Sequence, residues 1–163
     1  MSNEVLSHPF KPIVFKDTEI LILGSFPSIK SFENNFYYAH PRNQFWKLLE
    51  SVTSYPVNNR DQKIWLLKEC KFGLWDMIRT CSRENSLDST LENEEVNDLA
   101  AFLEAHPSIV KLAFTGKKSE RLFKMHFSHL NIEIVYLPSP SAAYAKMNFE
   151  SKAATYKKQL GYS

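Results

Sequence analysis

The strand predicted at residues 19–24, of sequence EILILG, is the feature that most constrains this fold. A short run of apolar, largely β-branched residues is typical of a strand buried on both faces, as in a parallel sheet. Residues 24–28, of sequence GSFPS, then predict a turn, because glycine tolerates unusual φ values and proline cannot continue a β-ladder. Open α/β sheets bind ligands at the carboxyl ends of such strands. The sequence therefore predicts a ligand site beside Gly24.

A helix is predicted to begin at residues 40–43, of sequence HPRN, after an irregular loop rich in aromatic residues. Proline suits the first helical position, and apolar residues then recur at helical spacing. Asn43 is expected in the first helical turn, with Arg42 beside it, among backbone N–H groups that have no helical partner. Taken alone, an asparagine there is more often structural than catalytic. The order of the elements, with the strand and its GSFPS turn followed by the aromatic loop and this helix, makes it a candidate.

The rest of the chain alternates between strands and helices. Further strands are predicted at 72–78, 109–114 and 132–137, and helices are predicted from Asp61 to Cys70, from Asn93 onward, at 119–127 and at 149–160. Such alternation predicts an α/β fold, a three-layer α/β/α sandwich with a four-stranded, mostly parallel central sheet. We expect residues 1–163 to form a single domain, with residues 1–17 as an extended N-terminal arm.

A second informative loop follows the last predicted strand. Residues 138–144, of sequence PSPSAAY, come directly after that strand, as the GSFPS turn follows the first. Carboxyl ends of parallel strands meet at one edge of a sheet, so the two loops are expected to lie together. Serine hydroxyls and free backbone N–H groups there suit phosphate binding. For this motif alone, a proline-rich loop that caps the last helix is the commoner structure, but it is the less common one where two such loops occur together.

Asp76 is the acidic residue inside the apolar run at 72–78. It could be an ionised carboxylate that polarises water, or it could hold the turn that follows the strand. Aspartate just after a strand more often makes turn bonds, so the structural role is favoured.

Composition excludes several classes of protein. The 163 residues are 44% hydrophobic and 23% charged, and no long apolar run or signal-peptide pattern is present, so we expect a cytoplasmic protein outside the membrane. The net charge of +2 permits contact with nucleic acid without arguing for it. Cys70 and Cys81 are too few for a disulfide framework, and His126 has no partner at metal-ligand spacing. We expect a monomer without a metal or a cofactor.

The motifs taken in order resemble the uracil-DNA glycosylase superfamily, and most closely its hypoxanthine-DNA glycosylase branch. In that branch a GS-x-PS motif is followed by YY-x-HPRN-x-FW, and here these read GSFPS and YYAHPRNQFW. The loop PSPSAAY matches the superfamily's second loop, which enters the DNA minor groove. Residues 86–89, of sequence SLDS, match a similar stretch of the branch. The resemblance covers about residues 19–145.

The resemblance implies a glycosylase that flips a deaminated base out of DNA, hydrolyses its N-glycosidic bond and leaves an abasic site. Hypoxanthine is the first expected substrate, with uracil and xanthine as others, in double-stranded or also single-stranded DNA. Asn43 is the implied catalytic residue. The implied base-site residues are Gly24, Ser25, Phe26, Tyr38, His40, Ser139 and Ser141. The implied DNA contacts are Pro27, Ser28, Arg42, Pro140, Ala142 and Tyr144.

One departure from the superfamily keeps an alternative open. Uracil-excising members carry aspartate or asparagine in the first loop to activate water, and here that position is Phe26. Phe26 is instead expected to line the base pocket, as the hypoxanthine branch also lacks the acid. A non-catalytic module that binds damaged DNA is therefore the alternative. An unrelated α/β hydrolase is disfavoured because the sequence has no G-x-S-x-G nucleophile elbow.

Overall fold

The structure, a computed structural model, describes residues 5–82 and 91–162. The stretch SLDS at 86–89, which matches the hypoxanthine branch, lies outside these ranges. The strands are β1 (Leu6–Ser7), β2 (Ile20–Gly24), β3 (Phe72–Asp76), β4 (Ile78–Ser82), β5 (Glu92–Val96), β6 (Lys111–Thr115) and β7 (Glu133–Leu137). The helices are α1 (Ile29–Asn34), α2 (Phe45–Thr53), α3 (Arg60–Cys70), α4 (Leu99–Ala105), α5 (Lys117–His126) and α6 (Phe149–Gln159).

The central sheet has four parallel strands in the order β3-β2-β6-β7. Alternate residues of β2 face opposite sides of it: Ile22 packs in a core with α2, α3 and α6, whereas Leu21 and Leu23 pack in a second core with α4 and α5. All three side chains are fully buried, as expected of a strand covered on both faces. The predicted three-layer α/β fold is confirmed.

A second sheet, of antiparallel strands in the order β1-β4-β5, was not predicted. Strand β5 includes Asn93, so the helix predicted to begin there is wrong. Pairing with β4 outweighs the local helix signal, and Thr80 Oγ1 donates to Glu95 Oε1 at 2.9 Å. Helix α4 begins six residues later, where Asp98 accepts the N–H of Ala101 at 3.1 Å as an N-cap.

The structure also corrects the prediction around the HPRN motif. Residues 40–43 form a turn before helix α2, which begins at Phe45. The Oδ1 atom of Asn43 accepts the N–H of Phe45 at 2.9 Å, so the asparagine makes an Asx turn just before the N-cap Gln44 instead of lying in the helix. The preceding aromatic segment is not wholly irregular, because it contains helix α1, whose N-cap Ser28 accepts the N–H of Ser31.

The N-terminal arm adds an edge strand to the second sheet and then crosses to the central one. Leu6 and Ser7 pair with β4, and the backbone of Ile13 exchanges hydrogen bonds with Leu74 in β3. In the part of the chain that the structure covers, no helix has the length and apolar character needed to cross a bilayer.

The fully buried Tyr156 of α6 predicts a loss of stability in alkali. Its hydroxyl donates to the carbonyl of Pro138 at 2.7 Å, and burial raises its pKa well above the usual value. Between about pH 10 and the raised folded pKa, the unfolded chain releases this proton and the folded chain keeps it, so the free energy of unfolding falls. Tyr156→Phe is expected to cost about 1 kcal/mol at neutral pH and to flatten this decline. Urea unfolding at about pH 8 and pH 10.5 measures both effects. An unchanged pH slope in the variant would contradict the assignment.

Candidate active site

An open cavity of about 650 Å³ lies where the strands of the central sheet end. The cavity is lined by all the residues that the resemblance implies for catalysis, base binding and DNA contact: Gly24, Ser25, Phe26, Pro27, Ser28, Tyr38, His40, Arg42, Asn43, Ser139, Pro140, Ser141, Ala142 and Tyr144. Ser31, Tyr37, Asp76, Thr115 and Ala143 line it as well. The two predicted loops therefore meet at one cavity.

The floor of the cavity is built around Gly24, at the end of β2. A Cβ atom added to Gly24 would lie 2.6 Å from Asp76 Oδ1 and 2.9 Å from the Tyr38 hydroxyl oxygen. Such distances are shorter than van der Waals contact, so only glycine allows these polar groups to approach the strand end this closely. The adjoining Phe26 is 8% exposed and packs on the ring of Phe32, on the wall of the cavity.

Tyr38 offers the cavity an aromatic ring in a fixed orientation. Its ring stacks on Phe45 with centroids 3.9 Å apart and planes at 17°, and its hydroxyl lies 3.0 Å from Thr115 Oγ1. Its φ of 53° is in the left-handed region, which is uncommon for an aromatic residue and costs on the order of 1 kcal/mol. Contacts at both ends of the side chain hold this conformation. One flat face is covered by Phe45, so a ligand would use the other.

The HPRN turn presents hydrogen-bond donors. The partner of Asn43 is a backbone N–H, so the bonded atom must be the amide oxygen, and the Nδ2 amino group is the part available to a ligand. His40 Nδ1 likewise accepts the N–H of Arg42 at 3.0 Å, so in the neutral ring the proton is on Nε2. An asparagine at this position can act through its carbonyl or its amino group, and this geometry favours the amino group.

A buried lysine, which sequence analysis missed, holds the second loop. Lys152 of α6 is 1% exposed, and its Nζ donates to Gln44 Oε1 at 2.8 Å and to the carbonyl of Ser141 at 3.2 Å. The N–H of Gln44 also donates to the carbonyl of Pro140 at 2.8 Å. Burial lowers the pKa of Lys152. These contacts tie the loop at 138–144 to Gln44, which directly follows Asn43 and is the N-cap of α2.

The two loop serines also help to fold the loop. Ser139 Oγ accepts the N–H of Ser141, and Ser141 Oγ accepts the N–H of Ala143, both at 3.2 Å. Each oxygen is thus used within the loop, while each hydroxyl hydrogen is free to rotate toward an acceptor. The predicted phosphate or base contacts of these serines would therefore be donated ones.

Asp76 has a partner that the sequence did not reveal. Its Oδ2 atom lies 2.7 Å from His8 Nε2, and both side chains are 5% exposed. The backbone N–H groups that follow the strand do not bond to the Asp76 carboxylate, because Met77 donates to the carbonyl of Gly24 and Ile78 donates to the carbonyl of Ser25. The favoured turn-capping role for the Asp76 carboxylate is therefore wrong. Burial and then the charge of Asp76 raise the pKa of the neighbouring Tyr37 hydroxyl.

The fold and this cavity define a class of α/β protein that binds a flat, hydrogen-bonding ligand at the carboxyl edge of a parallel sheet. Comparisons with known proteins narrow the class. The model of the uracil DNA glycosylase superfamily matches residues 12–160. A hypoxanthine DNA glycosylase of Methanosarcina barkeri is 38% identical over 68% of this chain and 71% of its own length. One of Methanosarcina acetivorans is 33% identical over 85% of this chain and 89% of its own length.

The structural comparison agrees with these matches. A solution NMR structure of a candidate uracil DNA glycosylase from Methanosarcina acetivorans superposes with a TM-score of 0.80 at 32% identity. It covers 98% of this chain and all of its own. The chain belongs to the uracil DNA glycosylase superfamily, and the resemblance and the prediction of a DNA glycosylase are confirmed.

Proposed function

We propose that this protein is a monofunctional glycosylase that removes hypoxanthine from DNA, and uracil or xanthine less readily. The observation that carries the proposal is the cavity that joins the GSFPS turn, the HPRN turn and the PSPSAAY loop around Tyr38. Both curated relatives reported above are named hypoxanthine DNA glycosylases, which supports the choice of base. The proposed setting is the cytoplasm, on DNA of the nucleoid, where the protein acts as a monomer.

The base reaches such a cavity only after its nucleotide leaves the helix. Extrusion costs a few kcal/mol and is easiest at a mispair, which favours deaminated bases. Stacking on an aromatic ring contributes about 1–3 kcal/mol of binding free energy per base and offsets this cost. The face of Tyr38 that Phe45 does not cover is the proposed platform. The flanking DNA is proposed to contact residues of both loops and of the HPRN turn, which also fill the gap left by the flipped base. These residues are Pro27, Ser28, Arg42, Pro140, Ala142 and Tyr144.

Hydrolysis breaks the bond between C1′ of the sugar and the base nitrogen, and the electron pair leaves with the base. Water forms the new C1′–O bond, and the proton that it loses neutralises the departing base. Positive charge develops on the sugar and negative charge on the base, so oriented donors at the base lower the barrier. Asn43 Nδ2 and His40 Nε2 are the proposed donors. Among the described residues lining the cavity none is a lysine, and a Schiff-base step is not proposed.

Asp76 is proposed to read the base edge. A carboxylate accepts hydrogen bonds only, so it matches the N1–H of hypoxanthine and repels the N1 lone pair of adenine. Asn43 Nδ2 suits the adjacent carbonyl oxygen, where adenine carries an amino group. Uracil presents the same donor and acceptor at N3 and O4, so these two contacts do not exclude it.

Single-turnover cleavage tests the proposal. Duplexes with one hypoxanthine, uracil or xanthine, their single-stranded forms and an undamaged duplex are incubated with excess enzyme and then treated with alkali. We expect alkali-labile sites to form fastest at hypoxanthine and none in the undamaged duplex. A folded sample that cleaves no deaminated base contradicts the proposal. Tight binding to damaged DNA without cleavage would favour the non-catalytic module instead.

A further inference from the structure

The N-terminal arm reaches the floor of the cavity through one buried side chain, His8. The N–H of His8 donates to the carbonyl of Arg79 at 2.8 Å, which fixes the arm against β4. Its ring packs edge-on against Phe10 and Phe26 with centroids 5.6 and 5.9 Å away. Within this apolar enclosure, His8 Nε2 lies 2.7 Å from Oδ2 of Asp76, which is 68 residues away in sequence.

The backbone of Phe10 keeps His8 pointed at Asp76 in either protonation state. His8 Nδ1 lies 2.9 Å from the carbonyl oxygen of Phe10 and 3.3 Å from its amide nitrogen. In a neutral ring Nδ1 accepts the backbone N–H of Phe10, and in a protonated ring Nδ1 donates its hydrogen to the carbonyl of Phe10. In both cases the Nε2 hydrogen goes to the carboxylate of Asp76. The bond therefore does not depend on the charge of the histidine.

This contact leaves the two carboxylate oxygens of Asp76 unequal. Oδ2 is occupied by His8, whereas Oδ1 faces Gly24 on the floor of the cavity. A free carboxylate offers two parallel acceptors, which fit the paired N1–H and N2 amino donors of guanine. Hypoxanthine has the N1–H but lacks the N2 amino group. One available oxygen suits hypoxanthine and gives guanine no second bond.

We propose that His8 is a positioning residue that leaves Asp76 with a single available acceptor oxygen on the cavity floor and thereby favours hypoxanthine over guanine. The inference rests on the proposed function, since it concerns the base edge that Asp76 reads. It assigns to the N-terminal arm a part of the base site that neither motif loop contains.

The test compares His8→Leu, which removes the donor, with His8→Gln, whose amide can donate near the position of Nε2. Single-turnover rates at saturating enzyme are measured on a hypoxanthine duplex, together with inhibition by free hypoxanthine and by free guanine. We expect His8→Leu to lower the maximal rate about tenfold to a hundredfold and His8→Gln to stay within about threefold of wild type. The guanine-to-hypoxanthine ratio of inhibition constants should fall at least about tenfold in His8→Leu alone.

Two further variants separate positioning from folding. His106→Leu is the matched control, because His106 is half-buried before the amino end of β6, away from the cavity. Its rates and ratio should equal wild type. His8→Asn, whose amide is too short to reach Asp76, replaces His8→Leu if that variant does not fold. In an Asp76→Asn background, His8→Leu should change the rate less than about twofold, because its effect passes through Asp76.

The outcomes separate the two proposals. A wild-type protein that cleaves no deaminated base overturns the proposed function and this inference with it. An active wild type with an unchanged His8→Leu rate and ratio overturns this inference alone. Equal losses in His8→Leu and His8→Gln also overturn it, because the residue would then act otherwise than through the Nε2 donor.

Discussion

Asn43→Ala is expected to lower the single-turnover rate on a hypoxanthine duplex by about a hundredfold to a thousandfold. The substitution removes the Nδ2 donor proposed to stabilise the negative charge of the departing base. It also removes the Oδ1 contact with the N–H of Phe45, the first residue of α2, so the free energy of unfolding should fall by about 1 kcal/mol. Rates are measured at saturating enzyme, and stability by urea unfolding.

Two control variants separate the loss of cleavage rate from the loss of stability. Asn43→Asp keeps an oxygen for the Phe45 N–H and replaces the amino group by a second oxygen, so activity should fall while the contact with Phe45 remains. Asn59→Ala removes the N-cap of α3, where Asn59 accepts the N–H of Gln62 at 2.9 Å, and should cost about 1 kcal/mol without changing the rate. If Asn43→Asp cleaves as fast as wild type, the donor role of Asn43 is wrong.

The sequence predicted the parts of this molecule that local patterns determine. Strand β2 is an uninterrupted apolar run because both its faces are buried, and that run is visible without any knowledge of its neighbours. The two loops could be placed together because parallel strands bring their carboxyl ends to one edge. The nominated residues follow from motif order, and their assembly around one cavity follows from the sheet.

The parts that were missed depend on contacts between distant residues. His8 lies in a segment without periodicity, and nothing near it in the sequence indicates a partner at Asp76. Lys152 looks like an ordinary helical lysine until Gln44 and Ser141 are folded against it. Asn93 precedes two glutamates as a helix cap would, yet the pairing of β5 with β4 decides its conformation.

The position of Phe26 gains a physical explanation from these distant contacts. The resemblance showed that the first loop lacks the acid of uracil-excising relatives. In the structure an acid reaches the same cavity from the end of the neighbouring strand, because β2 and β3 are in register and place Gly24 beside Asp76. The ring of Phe26 packs 5.9 Å from that of His8, the partner of this acid. Phe26 in the first loop thus helps to enclose the carboxylate of Asp76, which lies at the end of β3.

Gly24→Ala is expected to reduce both activity and stability, because its methyl group has no space. The new Cβ would lie 2.6 Å from Asp76 Oδ1 and 2.9 Å from the Tyr38 hydroxyl, and 3.4 Å from Thr115 Oγ1. Overpacking of this kind costs about 1–3 kcal/mol of unfolding free energy. Because the proposed base-reading acid and stacking ring must move apart, the single-turnover rate should fall about a hundredfold. Both are measured on the same sample, with rates expressed per folded molecule.

Gly161→Ala is the control for a glycine substitution without a site effect. Gly161 has a φ of 84°, and a Cβ there would meet no atom within 4 Å. Alanine should therefore cost about 1 kcal/mol through backbone strain, while the rate per folded molecule stays at the wild-type value. If Gly24→Ala lowers stability alone, as Gly161→Ala should, then the spacing of Asp76 and Tyr38 at the strand end does not control the reaction. A rate loss confined to Gly24→Ala means that the closeness permitted by glycine is a requirement of the chemistry and not only of the fold.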